Sequence, residues 1–374
     1  MEPVLPPSRI GIIGGGQLGR MLALEAKRMG YFVYVMDPSE NSPASQVADE
    51  CIVAELDDVS AALKLSKSCA IVTYEFENIH TELVSKIEKT NNNIFPSSEV
   101  LKITQNRILE KKFVQSTGVK VTEFCEVKKL DECIKIGFPA IIKTASGGYD
   151  GKGQRKVKSV MEAENAIKEF GKQQLIWEKM VPFKKELSII CARNKNNEIS
   201  VFPLVENIHK NHILHMTIAP ARVSEKTKKS AQKIAISIAK SIDLIGIICI
   251  ELFMLKDGTL LVNELAPRPH NSGHHTIESC NISQFEQHIR AVCNLPLAKI
   301  ELKQKACMIN ILGTGEGNQL IGIEKVLTDP NVKIHLYGKT EAKKGRKMGH
   351  ITAVGNSLTV CLRNVNKARK ELKI

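Results

Sequence analysis

Residues 263–274, NELAPRPHNSGH, bring a carboxylate, two basic groups and paired amide and hydroxyl donors together directly behind an apolar strand. Such a set can hold a cation and an anionic substrate side by side. The segment leading into it, IICIELFMLKDGTLLVNELAP, joins two apolar runs through Lys256-Asp257-Gly258-Thr259. Asp-Gly between apolar runs is a strong β-hairpin signal. With Asp257 and Gly258 as a two-residue turn, 256 faces 259 and Glu251 falls opposite Glu264. Two carboxylates facing each other across a sheet repel unless a hard cation such as Mg²⁺ lies between them. The spacing therefore predicts Glu251 and Glu264 as metal ligands. The competing reading is a register slip of one residue, which would turn one of the two acids to solvent.

Three further stretches carry chemistry. Lys143 ends the apolar run GFPAIIK and precedes Ala145-Ser146-Gly147-Gly148-Tyr149-Asp150-Gly151-Lys152-Gly153. A lysine on a strand beside a glycine-rich turn can hold phosphate oxygens while backbone N–H groups close over them. The spacing is not that of a Walker loop, and a plain surface hairpin would look similar. Glu178 in QLIWEKMV and Glu186 in ELSIICAR open a series of strand acids that ends in the hairpin. Near the N-terminus, RIGII runs into Gly14-Gly15-Gly16-Gln17-Leu18-Gly19, a formal GxGxxG, with Asp37 closing the next apolar run. Alone, that fingerprint would make a nicotinamide dinucleotide the leading ligand.

These groups must be positioned by more than one domain, because 374 residues exceed one ordinary core. Residues 9–100 alternate apolar runs (RIGIIG, YFVYVMD, AIVTYE, NIFP) with helix-like stretches at 17–30 and 82–90, which predicts a parallel sheet covered by helices on both faces. From about Ile103 the pattern becomes one helical segment, ITQNRILEKKFVQSTG, then strands around 140–143, 175–181 and 186–192. A helix at 226–241, the acidic hairpin, a helix near 283–292 and the strand-like runs CMINIL and VKIHLYG follow. The expected fold class is mixed α/β and α+β, with units at 1–102, 103–184 and 185–374, the last ending in a part from about 301.

Composition narrows the function classes. Hydrophobic residues make up 43% and charged residues 25%, as in globular proteins. The longest apolar stretch, 244–255, is broken by Glu251 and falls short of the roughly 18 residues a membrane span needs. No secretory signal is evident, so a cytoplasmic location is expected. Ten cysteines show no CxxC and no pair closer than eight positions, which reads as reduced core thiols. The net charge of +13 is spread along the chain, with KKGRK at 343–347 as the tight run, and aromatics are only 5%. That fits attraction of phosphorylated substrates better than a nucleic-acid surface.

Taken together, IIGGGQLGRM (12–21), YEFENI (74–79), GGYDGKGQ (147–154), EKMVPFKKELS (178–188), APARV (219–223), VNELAPRPHNSGH (262–274), LYGK (336–339) and RKMGH (346–350) resemble the ATP-grasp superfamily over nearly the whole chain. Within it, the resemblance is to the 5-(carboxyamino)imidazole ribonucleotide synthetase family of purine biosynthesis. It implies an ATP-grasp fold behind a Rossmann-like N-terminal domain, with 103–184 as the small lid domain and 301–374 as a substrate-phosphate part. It also implies ATP and Mg²⁺ as cofactors, bicarbonate and aminoimidazole ribonucleotide as substrates, and a homodimer without nucleic-acid or membrane partners. A sister enzyme acting on glycinamide ribonucleotide with formate is the alternative, and an NAD-dependent oxidoreductase a distant one.

The resemblance also assigns roles. For ATP it implies Arg107 and Lys143 at the phosphates, Gly147 and Gly148 in the lid, Glu178 with the Lys179 to Val181 backbone at adenine, Glu186 at ribose, and His209 and Asn263 nearby. It implies Tyr149, Asp150 and Lys152 over carboxyphosphate, and Arg268 and His270 on bicarbonate and its phosphorylated form. Gln17, Leu18, Glu75, Asn271 and Ser272 would line the ribonucleotide pocket, with Lys339, Arg346 and Lys347 clamping its 5′-phosphate. Glu75 or Asp150 would accept the amine proton. Under this reading the GxGxxG approaches a phosphorylated substrate and Asp37 loses a ribose role. Lys152, His275 and Ala145 depart from residues common in relatives. The chain ends at Ile374 without a mutase-like extension, which would leave carboxyl migration to another protein.

Two other constellations have blander readings. His209, His212 and His215 suggest zinc, but on a strand 212 points away from the other two. Ser272 has histidine neighbours yet no GxSxG elbow, which argues against a hydrolase triad.

Overall fold

A computed structural model describes residues 2–148, 151–315, 320–372 and 374. Tyr149 and Asp150, both expected in the lid, lie outside the described residues.

The N-terminal sheet comprises β1 (Arg9–Ile13), β2 (Phe32–Asp37), β3 (Glu50–Val53) and β4 (Ile71–Tyr74), all parallel in the order β3-β2-β1-β4. Ile10, Ile12, Val33, Val35 and Val72 are fully buried, as continuous apolar runs require when helices cover both faces. The helices are α1 (Gln17–Arg28), α2 (Val59–Ser68) and α3 (Thr81–Thr90). The start of α1 and the loop after β4 lie at the carboxyl ends of neighbouring parallel strands, where open α/β sheets place their ligands.

The single helix expected from Ile103 is two, α4 (Ser98–Gln105) and α5 (Arg107–Ser116). Asn106 breaks them with extended dihedrals, and its side chain accepts the N–H groups of Ile108 and Leu109. An asparagine that caps the following turn outcompetes helix continuation. The small antiparallel sheet follows, with β5 (Phe124–Glu126), β6 (Ala140–Thr144), β7 (Gln154–Val157) and β8 (Leu175–Lys179) in the order β5-β8-β6-β7. It is backed by α6 (Leu130–Ile134) and α7 (Val160–Phe170), around a fully buried Trp177 set edge-on to Phe138.

The large sheet contains β9 (Lys185–Arg193), β10 (Ile199–Val201), β11 (Val205–Lys210), β12 (Ile213–Ala219), β13 (Gly246–Met254), β14 (Leu260–Ala266), β15 (Lys305–Leu312), β16 (Val332–Leu336) and β17 (Lys347–Gly355). Its path is β14-β13-β9-β11-β12-β15-β17-β16, with β10 paired to β9. The strands after residue 301, β15, β16 and β17, thus extend the same sheet. Helices α8 (Glu225–Ser241), α9 (Thr276–Ser279), α10 (Gln284–Val292), α11 (Ile323–Val326) and α12 (Leu358–Glu371) complete the fold. No helix among the described residues is long and apolar enough to cross a membrane.

The acidic hairpin reaches the expected pairing by a different route. Leu255 N–H donates to the Thr259 carbonyl at 2.9 Å, so the turn holds three residues, Lys256 to Gly258, with Gly258 at φ +86°. Near the turn the register is consequently shifted by one, with Met254 opposite Leu260 and Leu252 opposite Val262. A β-bulge at Asn263 takes up the extra residue and restores Glu251 opposite Glu264. The two-residue turn was wrong, and the bulge compensates for it. It also brings adjacent Asn263 and Glu264 to the same cleft.

Candidate active site

One cleft of about 890 Å³ opens where the three sheets meet. Of the residues singled out from sequence, it is lined by Gln17, Leu18, Glu75, Arg107, Lys143, Gly147, Gly148, Lys152, Glu186, His209, Glu251, Asn263, Glu264, Arg268, His270, Asn271 and Lys347. Glu178, Lys179, Val181, Ser272, Lys339 and Arg346 are not part of the lining.

At the small-sheet side, Arg107 is the first residue of α5, placed there by the Asn106 cap. Its guanidinium donates to the carbonyls of Thr144 (3.0 Å) and Gly148 (2.8 Å), so it fixes the start of the glycine-rich loop. Lys143 pairs with Glu178 at 2.9 Å, and Lys111 approaches the other Glu178 oxygen at 3.4 Å. Burial alone would raise the Glu178 carboxyl, but Lys143, Lys111 and Arg107 hold it down at about 2. The Glu178 side chain thus organises lysines beneath the cleft. Lys179 is exposed and bonded to Glu123 at 3.1 Å. Phe183 stacks on Phe253 with ring centres 4.5 Å apart and planes 5° from parallel, giving the cleft an apolar platform. Glu186 hydrogen-bonds His209 Nδ1 at 2.8 Å; burial disfavours the imidazolium, yet Glu186 raises the His209 pKa overall.

At the acidic hairpin, His270 Nε2 lies 3.2 Å from Glu251 Oε1. Burial opposes the charged imidazole, but the Cys249 sulfur and the Glu251 carboxylate favour it, bringing His270 to about 10. Burial opposes the Glu251 carboxylate as well, but His270 holds it down at about 2, whereas Glu264 is raised by burial and then by Glu251. This is the asymmetry of two facing carboxylates of which Glu251 alone has the His270 imidazolium as partner. Among the described residues no three His, Cys, Asp or Glu side chains converge in metal-binding geometry. Two carboxylates with the Asn263 amide nonetheless fit Mg²⁺, which completes its shell with phosphate and water oxygens instead of a protein cage. Arg268 grips Glu77 through two nitrogens, one at 2.7 Å, and this pairing keeps its charge despite burial.

The GxGxxG turn has a different occupant from the one its pattern suggests. Gly16 N–H and Gly19 N–H (2.7 Å) both donate to Glu75, and Gly15 N–H donates to Asp37 at 2.7 Å. The anion-binding amides at the start of α1 are therefore satisfied by the chain's own carboxylates, leaving no cradle for a pyrophosphate. Burial raises the Glu75 carboxyl, against these two amide bonds. Lys339 Nζ donates to Gln17 at 2.5 Å and sits 5.7 Å above the Tyr337 ring. Burial and then neighbouring Arg346 lower it to about 8. Arg346 itself is exposed.

Two expectations are corrected here. Ser272 is fully buried and bonds to Ser188 (2.7 Å) and His270 Nδ1 (2.8 Å), so it orients the histidine from behind and does not line the pocket. His212 is not on a strand: with Asn211 it makes the turn between β11 and β12 at φ +64° and +50°, packed against Gly151. Sequence reasoning missed Glu77, Glu110, Lys111 and the Phe183–Phe253 pair. Glu110 and Lys111 sit in the charged run LEKK, which looks like a solvated helix face and gives no signal of burial.

Comparison with known proteins identifies what this arrangement is. Residues 8–105 match the ribonucleotide synthetase preATP-grasp domain, 112–285 the ATP-grasp domain, and 306–364 the phosphoribosylaminoimidazole carboxylase C-terminal domain. Fold and site thus define an ATP-grasp ligase. A Bacillus subtilis N5-carboxyaminoimidazole ribonucleotide synthase is 47% identical over 93% of this chain and 92% of its own length. Its Brucella melitensis counterpart is 41% identical over 93% and 97%. A crystal structure of the Aspergillus clavatus synthase with ADP and 5-aminoimidazole ribonucleotide superposes with a TM-score of 0.89 at 32% identity, covering 97% and 98% of the two chains. The chain belongs to the N5-carboxyaminoimidazole ribonucleotide synthase family.

Proposed function

We propose that this enzyme uses ATP and bicarbonate to carboxylate the exocyclic amine of 5-aminoimidazole ribonucleotide, releasing ADP and phosphate. The observation that carries the reading is one continuous cleft with Lys143, Glu251 and Glu264 in one region and Gln17, beside Lys339, in another. Arg268 and His270 line the same cleft.

Charge dictates the order of events. Bicarbonate and the triphosphate are both anions, so their approach needs fixed positive charge. Lys143 supplies it at the phosphates, and Arg268 and His270 at bicarbonate. Glu251, Glu264 and Asn263 would hold Mg²⁺, which would supply further neutralisation of the triphosphate. A bicarbonate oxygen attacks the γ-phosphorus as the bond to ADP breaks, giving carboxyphosphate. That species is short-lived in water, so the 147–153 loop closes before it forms, with Lys152 among the closing residues. Its carbon–oxygen bond to phosphate then breaks, and the released CO₂ is attacked by the amine nitrogen, which loses a proton to Glu75 or Asp150. Lys339, Arg346 and Lys347 anchor the ribonucleotide phosphate, and Leu18 and Asn271 line its pocket. The reading includes a homodimer, which sedimentation tests, and a cytoplasmic location, which cell fractionation tests.

The deciding assay measures ADP release with aminoimidazole ribonucleotide and bicarbonate, each omitted in turn, and then with glycinamide ribonucleotide and formate. Turnover only in the first complete mixture is expected. Turnover only in the second displaces the proposal in favour of a formate-dependent ligase.

A further inference from the structure

Strand β14 lies at the edge of the large sheet, so among the described residues one row of its peptide groups has no strand partner. At Val262 the N–H is taken by the Lys120 carbonyl. Beyond it, helix α5 supplies the partners from two consecutive side chains. Glu110 Oε2 accepts the Leu265 N–H at 2.8 Å, and Lys111 Nζ donates to the Asn263 carbonyl at 3.4 Å. These two peptide groups flank Glu264 on either side, at the bulge that restores its register. Glu110 and Lys111 are only 2% and 1% exposed, a costly location for ionisable groups unless each is engaged. Lys111 is also 3.2 Å from Thr122 and 3.4 Å from Glu178, which in turn holds Lys143. A continuous path of polar contacts therefore runs from the backbone of Glu264 to the Lys143 ammonium.

We propose that Glu110 and Lys111 are positioning residues for the nucleotide end of the site: they clamp the bulge that aims Glu264 and tie it, through Glu178, to Lys143. The proposal rests on the reading of Glu264 as a metal ligand and Lys143 as a phosphate contact. Neither positioning residue has to touch substrate. Their effect is to make the carboxylate and the ammonium move as one unit, so that a cation and the phosphates it neutralises meet in register.

The test is calorimetric binding of ADP, with Mg²⁺ and with a chelator, and of the ribonucleotide alone, to Glu110→Ala, Glu110→Gln, Lys111→Met and, as reference, Glu264→Gln. Outer partners of metal ligands change affinity by about 10- to 100-fold, so Glu110→Ala and Lys111→Met are expected to weaken Mg²⁺-ADP binding by about tenfold or more. Ribonucleotide affinity should stay within about twofold, and the ADP difference should narrow in chelator. Glu110→Gln keeps an oxygen that accepts the Leu265 N–H and should recover most of the loss. Equal weakening for both ligands, or failure of Gln to rescue, indicates a merely structural role and overturns the proposal. So does parental Mg²⁺-ADP affinity in the two variants while Glu264→Gln loses it. If Glu264→Gln itself binds Mg²⁺-ADP like the parent, the metal reading fails first and the clamp has nothing to position. Should Lys111→Met not fold, with Glu178 left short of a cation, the Glu110 pair decides alone.

Discussion

Lys339 offers a pH-dependent test of the ribonucleotide site. Burial and the adjacent Arg346 charge depress its ammonium from the ordinary lysine value to about 8. Its charge is therefore present below that pH and lost as pH rises through it. At pH 7 about nine-tenths of the free enzyme carries the ammonium, and at pH 9 about one-tenth. A ribonucleotide phosphate, with a second pKa near 6, is already dianionic across this range. If Lys339 clamps that phosphate, the ribonucleotide dissociation constant should be nearly flat from pH 6.5 to 7.5 and rise toward about tenfold per unit above 8. Lys339→Met removes a charge-assisted contact of about 1.5–3 kcal/mol, or about 10- to 150-fold in affinity at pH 7. It should also abolish the rise above pH 8. Arg346→Ala removes the repelling neighbour, so it should weaken binding while moving the break to higher pH. Calorimetry on the three proteins between pH 6.5 and 9.5 reads all of this. A flat profile in the parent, or an unchanged break in Lys339→Met, refutes the assignment.

Three other outcomes are expected. Glu251→Gln and Glu264→Gln should cut turnover severely and lose part of the Mg²⁺·ATP gain in melting temperature, and in chelator Glu264→Gln should melt no lower than the parent because a buried carboxylate repulsion is relieved, whereas Glu251→Gln should melt lower because His270 loses its partner; full retention of the Mg²⁺·ATP gain would sink the metal role. NADH should not bind at micromolar concentration, since Glu75 and Asp37 fill the glycine turn, and saturable fluorescence quenching would contradict this. Gly151→Ala places a Cβ 2.7 Å from the His212 ring at φ +81°, so it should raise ADP release per carboxylated product with little change in melting temperature; unchanged coupling would show that this turn does not seal the intermediate.

Local rules made a good part of this molecule legible. The βαβ alternation of residues 9–100, Lys143 at a strand end before its glycines, and the pairing of Glu251 with Glu264 all follow from periodicity and turn chemistry within short windows. Even there the hairpin shows the limit: its turn holds one residue more than expected, and only the bulge at Asn263, held between sheet and helix, returns the two acids to register.

What the tertiary structure alone decided concerns charges far apart in sequence. Glu75 fills a glycine turn 59 residues before it, Arg268 is claimed by Glu77 191 residues away, and Ser272 turns inward to Ser188. A lysine in LEKK is indistinguishable by pattern from a solvated one, yet Lys111 lies buried between Glu178 and the backbone beside Glu264. The sequence by itself determined which elements form and which carboxylates and cations they carry, because backbone preference is a local property. Which of those charges meet was decided only by packing, because a buried charge is stable only beside a partner, and that partner comes from whichever element the fold sets against it.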